Sequence, residues 1–107
     1  MNISEFIRQE NEKRLTEYTI VPEWNDAKVY YQKLSVEEYS KISKAIDKDN
    51  MTGMVDVIIM KAEYEDGSRM FTMADRANLN KYRNPGVITR LAGKILESLS
   101  AEDAEKN

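Results

Sequence analysis

Apolar positions along the chain change period several times, and each change marks an element. Residues 3–15 carry Ile3, Phe6 and Ile7 on one face among mostly polar neighbours, which predicts a short helix. Two roles fit so small a face: docking on its own domain, or serving as an arm that binds a partner. Glu17-Tyr18-Thr19-Ile20-Val21-Pro22 is rich in β-branched and aromatic types and reads as a strand ended by proline. Glu23-Trp24-Asn25-Asp26 reads as a turn, and residues 27–33 as a second strand, so the two runs predict a β-hairpin. A lone hairpin is marginal in water and has to pack on helices or pair with another chain.

Leu34-Ser35-Val36-Glu37-Glu38-Tyr39 is the sharpest local signal, because Ser followed three residues later by Glu is a capping box. It opens a helix to about Lys48, with Val36, Tyr39, Ile42 and Ile46 expected on the inward face. Asp49-Asn50 interrupts the pattern. Met51, Met54, Val55, Ile58, Ile59 and Ala62 then follow helical spacing, with Val57 and Met60 apolar off the stripe. This second helix, from about Met51 to Ala62, is the expected centre of the core, although Gly53 near its start is unfavourable. A strand–turn–strand over residues 55–72 competes with it, since Val55-Asp56-Val57-Ile58-Ile59 is also β-prone. Asp66-Gly67 punctuates a turn, Thr72 with Asp75 opens a helix from about 73 to 82, and Asn84-Pro85 starts the last one. That helix should run to about Leu99, with Val87, Ile88, Leu91, Ala92, Ile95, Leu96 and Leu99 inward. The expected fold is therefore α+β: a small single domain with an N-terminal β-hairpin packed on three to four helices. Residues 1–16 form an N-terminal helical arm, 17–99 the domain, and 100–107 a polar, disordered tail.

Composition narrows the chemistry. The 107 residues carry sixteen Lys and Arg against nineteen Asp and Glu, a net charge of −3, and the basic residues are spread along the chain. A mildly acidic domain without a basic cluster points away from nucleic acid. Absence of Cys removes disulfides and thiolate chemistry, and absence of His removes the commonest general base and metal ligand. His- or Cys-based triads cannot form. Catalysis by carboxylates alone stays open but needs a pocket that the sequence does not announce, and no enzymatic activity is expected. The carboxylate pairs Glu37-Glu38 and Glu102-Asp103 read as a helix cap and a solvated tail. Asp47, Asp49 and Asn50 lack the glycine and distal Glu of a calcium loop. Gly86 and Gly93 follow no strand and make no phosphate cradle. No metal or cofactor is expected. The charged start, MNISEFIRQENEKR, is not a signal peptide, and the run Val57-Ile58-Ile59-Met60 is too short to span a bilayer. A cytoplasmic protein with no membrane partner is expected.

Two groups of residues suit protein binding. The methionines at 51, 54, 60, 70 and 73 fit an adaptable groove or plain core filling. Trp24, alone in a turn between strands, fits either a cap on the core or an exposed anchor, since Trp is favoured at interface hot spots.

The order of pieces carries a resemblance. Val21-Pro22-Glu23-Trp24, then Val29-Tyr30, then Leu34-Ser35-x-x-Glu38-Tyr39 resembles the phage tail assembly chaperones. So does the apolar helix running into Glu65-Asp66-Gly67-Ser68-Arg69-Met70-Phe71-Thr72 and the two helices after it. The likeness covers about residues 17–99. The chain departs from the pattern at Thr72-Met73-Ala74-Asp75-Arg76, which lacks the acidic run often found there, and at Asn84-Pro85-Gly86. The resemblance implies a protein of the infected or lysogenic host cell that binds the tape measure protein and helps tail tube protein subunits polymerise. It further implies absence from the mature virion and self-association into a homo-oligomer. Many such proteins exist in a short and a frameshifted long form, and this chain looks like the short one. A structural tail or head–tail connector protein retained in the virion is the alternative, and a generic bacterial interaction or regulatory domain a third, with small enzymes as the remainder. The residues expected to meet the partner are Pro22, Glu23, Trp24 and Phe71, with Pro22 stiffening the turn and Trp24 supplying the anchor.

Overall fold

The computed structural model describes the backbone of residues 2–13 and 16–106, and side chains as far as Glu97. Its elements in order are α1 (Ile3–Glu12), β1 (Thr16–Val21), a 3₁₀ turn (Pro22–Trp24), β2 (Ala27–Gln32), α2 (Val36–Lys48) and α3 (Asn50–Lys61). A second 3₁₀ turn (Met73–Asp75), α4 (Arg76–Asn80) and α5 (Pro85–Lys106) complete the chain. This is the expected α+β arrangement. Leu99 and the tail 100–107 lie outside the residues whose side chains are described, although the backbone of α5 continues helically past the expected boundary near Leu99.

β1 and β2 pair antiparallel from Thr16 opposite Gln32 to Val21 opposite Ala27. The turn between them works because Asn25 and Asp26 both take the left-handed conformation, at φ 57° and 56°, which Asn and Asp tolerate better than other L-residues. Val21, Val29 and Tyr31 face the helices and are buried. Burial pushes the Tyr31 hydroxyl above its ordinary pKa, with Glu17 and Glu97 adding to the effect.

The Ser35 capping box forms as expected: Glu38 N–H donates to Ser35 Oγ at 3.1 Å and Ser35 N–H to Glu38 Oε1 at 2.9 Å. The face of α2 differs from the expectation. Ile42 is buried and Ile46 packs against the core, but Val36 and Tyr39 are exposed. At about 100° per residue, Val36 lies about 120° around the helix from Ile42 and Tyr39 about 60°. The inward line runs Glu38, Ile42, Ala45, Ile46, so a charged residue occupies the place the apolar pattern had assigned to its neighbours. Glu38 is accommodated because Lys61 Nζ donates to its Oε1 at 2.9 Å and to the Lys33 carbonyl at 3.4 Å. Burial raises the Glu38 carboxyl, but the bonds from Ser35 and Lys61 outweigh it and the net shift is downward.

α3 is the centre of the core and is helical, so the strand–turn–strand reading of residues 55–72 falls. Asp49 caps it through Met51 and Thr52 N–H. Val55, Val57, Ile58 and Ile59 are all buried, because α2, α4, α5 and β2 surround the helix. A trace of the β reading survives just after it. Glu63 exchanges backbone hydrogen bonds with Tyr30 at 2.8 and 2.9 Å, covering part of the outer edge of β2. Gly53 has a packing reason: a Cβ there would stand 2.5 Å from Ile46 Cγ1 and 2.8 Å from the Ile46 backbone. α5 presents Val87, Ile88, Leu91, Ala92 and Ile95 to α3, as its spacing predicts.

Candidate functional site

Pro22 opens the first 3₁₀ turn, where its fixed φ suits the position and its missing N–H is no loss. The turn tips Trp24 towards the helices. Its ring meets Phe71 edge-on, with centroids 5.9 Å apart and planes at 72°, and lies 6.3 Å from the ring of Tyr82. The indole Nε1–H donates to Tyr82 Oη at 3.0 Å, so the polar handle of the half-buried Trp is satisfied inside the chain. Phe71 is delivered by the short return after α3, where Met70 N–H bonds the Ala62 carbonyl at 3.0 Å. The next residue, Thr72, opens a capping box: Thr72 N–H donates to Asp75 Oδ2 at 2.8 Å and Ala74 N–H to Thr72 Oγ1 at 3.2 Å. That box starts the second 3₁₀ turn and α4, which is shorter than the helix 73–82 expected from the pattern.

These pieces enclose an open, apolar cleft of about 260 Å³ lined by Trp24, Phe71, Asp75, Asn78, Leu79 and Tyr82. The three rings and Leu79 form its apolar wall; Asp75 and the exposed Asn78 form its polar rim. Such a cleft takes an apolar side chain and offers hydrogen bonds at its edge. Of the four residues expected to meet a partner, Trp24 and Phe71 line it together. Pro22 and Glu23 are exposed beside it. Glu23 is engaged within the chain, since Arg90 on α5 forks onto both of its carboxylate oxygens. The Arg90 bonds hold the Glu23 carboxyl below its ordinary pKa, and the same bonds raise Arg90. The pair pins the hairpin turn to α5. Tyr82 was not expected at the site. It sits at the end of a helical pattern with nothing in the local spacing to connect it to a Trp 58 positions away.

Among the described residues, no group of three or more Asp or Glu is placed to hold a metal ion, and no helix is long and apolar enough to cross a membrane.

No protein-family model matches the chain, and no curated protein matches it in sequence. A solved structure does. The bacteriophage HK97 tail assembly chaperone aligns over 89% of this chain and 94% of its own, with a TM-score of 0.61 and 20% sequence identity. The chain shares the fold of that chaperone. At this identity the likeness establishes the architecture, and it agrees with the family resemblance of the hairpin and helix motifs.

Proposed function

We propose that this protein is a phage tail assembly chaperone that acts by binding, without catalysis. The observation that carries the reading is the Trp24–Phe71–Tyr82 cleft, set at the hairpin turn of a fold shared with the HK97 tail assembly chaperone. A chaperone for a long, helical tape measure protein has to hold exposed apolar side chains reversibly and without an energy source. A shallow aromatic cleft with a polar rim suits that task, because rigid rings lose little conformational freedom on binding. In this reading the tape measure protein supplies the apolar side chain, the tail tube protein assembles around the held partner, and the chaperone leaves before the virion is complete.

The experiment uses Asn78→Arg, which fills the mouth of the cleft from an exposed position and leaves Trp24, Phe71 and Tyr82 in place. Binding to the tape measure protein encoded by the same phage or prophage is measured by calorimetry. The expected result is at least about tenfold weaker binding with unchanged thermal stability, the loss of one buried apolar anchor. Unaltered binding sinks the cleft as the contact. Mass spectrometry of purified virions tests the rest: stoichiometric retention of the protein would favour the structural-component reading.

A further inference from the structure

The apolar wall of the Trp24 cleft alone would take any aliphatic side chain. Two features select a narrower class. The first is the mutual tilt of the rings. The plane of Phe71 stands at 72° to that of Trp24 and the plane of Tyr82 at 59°, so neither stacks flat on the indole. Rings inclined in this way form a corner, and all three line one space. The negative face of an aromatic ring attracts a cation held within about 6 Å of its centroid. With centroids 5.9 and 6.3 Å from that of Trp24, one cation in the corner reaches more than one ring.

The second feature is charge. Among the described residues, Asp75 is the one charged residue in the lining. Its Oδ2 accepts from Thr72 N–H at 2.8 Å, and its Oδ1 has no hydrogen-bond or ion-pair partner among the described residues. The chain's own cations are placed elsewhere. Arg76 Nη2 stands 2.6 Å from Asp56 Oδ1, and Arg90 forks onto Glu23. Lys81 and Arg83, on either side of Tyr82, are exposed and line no part of the cleft. The cation–π contact among the described residues is also remote, Lys28 over Tyr18 at 5.4 Å. The cleft is thus aromatic and negative, with no internal cation to complement it.

We propose that the cleft binds a lysine or arginine side chain of the partner protein, its aliphatic stem against Leu79 and the rings, its charge over the rings and beside Asp75. Long cationic side chains bury their stems on apolar surface in this way, so the apolar contact of the proposed function is kept and its tip is specified. The net charge of −3 favours the approach of a basic segment. The inference rests on the reading of this cleft as the partner contact and names the residue class that fills it.

Trp24 is the sole tryptophan, so its fluorescence reports on the cleft directly. The test titrates the whole chain with N-acetyl-lysine amide, N-acetyl-arginine amide and N-acetyl-norleucine amide, the last a neutral match for the lysine stem. A cationic probe should change the emission saturably and bind at least about fivefold more tightly than norleucine, the scale of one cation–π contact. Added salt should weaken the cationic probes and leave norleucine unchanged, a readout that needs no variant. Asp75→Asn removes the charge but keeps an oxygen to accept from Thr72 N–H, so the cap survives. Phe71→Leu removes a ring but keeps an apolar wall. Each should shrink the preference to about twofold or less while norleucine still binds, with melting by circular dichroism showing that both variants fold. Norleucine binding as tightly as the cationic probes, a preference that survives both variants, or no saturable binding by the cationic probes each overturns the proposal. The Asn78→Arg assay obstructs the cleft whichever side chain fills it, so it decides separately whether the cleft is the partner contact.

Discussion

α3 spans Asn50–Lys61 and α1 spans Ile3–Glu12, and each carries apolar residues at helical spacing. α3 is surrounded by three helices and a strand, and Val57 and Ile58 have no solvent contact at all. α1 has no buried residue. The difference lies in breadth. α3 is apolar on more than one side through Val55, Val57, Ile58 and Ile59, so it can serve several neighbours at once. α1 offers one narrow stripe bounded by Glu5, Arg8, Gln9 and Glu12. A periodic stripe shows that a helix has something to bury; it does not show that the burying surface belongs to the same molecule.

The sharpest way to break this contrast is to cut into α3. Ile58→Ala removes a fully buried side chain from α3, the helix that α2, α4, α5 and β2 surround. The expected loss is ~2–5 kcal/mol by denaturant titration, a large fraction of the stability of a 107-residue domain. A loss under 1 kcal/mol would mean that α3 is not the centre of the core.

Gly53→Ala should act in the same direction with a smaller effect. Alanine is the better helix former by about 1 kcal/mol, which alone would stabilise α3. Against that, the new Cβ meets Ile46 backbone atoms at 2.8 Å, and these cannot move without shifting α2. Overpacking of this kind costs about 1–3 kcal/mol, so a net loss in melting temperature is expected. A gain would show that α2 slides away freely.

How much of this was legible depended on whether the partners were local. The Ser35–Glu38 and Thr72–Asp75 boxes are spaced within one turn, so residue order alone revealed them. The inward faces of α3 and α5 were legible because their apolar runs are long and broad. The face of α2 was misread because Glu38 points inward, and its reason, Lys61, lies 23 positions away on another helix. In the same way Trp24 and Phe71 stood out as residue types, but the cleft they form needs Tyr82 and Leu79, whose approach is set by the packing of α4.

The Glu38–Lys61 pair yields an effect that pH can isolate. Lys61 is only 6% exposed while the Glu38 side chain is partly open to solvent. Glu38→Gln keeps the Oε1 acceptor that Ser35 N–H and Lys61 Nζ share but removes the negative charge beside the buried ammonium. The expected loss at neutral pH is ~1–2 kcal/mol, the low end for removing a charged partner because solvent screens one side. The folded-state pKa of Glu38 lies below its ordinary 4.5. Its contribution is therefore complete above that value and is lost as pH falls below it, through the folded-state pKa. Wild type and Glu38→Gln should converge in stability below pH 4.5 and stay apart above it. A gap that persists unchanged into acid would place the effect in packing and not in charge.

The smallest effect belongs to α1 and is the most informative for the contrast. Phe6→Ser removes an aromatic side chain, which inside α3 would cost several kcal/mol. On α1 nothing in the same molecule covers it, so monomer stability at low micromolar concentration should change by less than about 0.5 kcal/mol, the ordinary range for an exposed site. Helical content is the second readout. Ser lowers helix propensity by only a few tenths of a kcal/mol, and the Asn2 cap is untouched, so far-ultraviolet dichroism should show at most partial fraying of the first ten residues of α1. If Phe6→Ser instead loses more than 2 kcal/mol in dilute solution, the stripe packs on its own domain after all. The arm would then be part of the core.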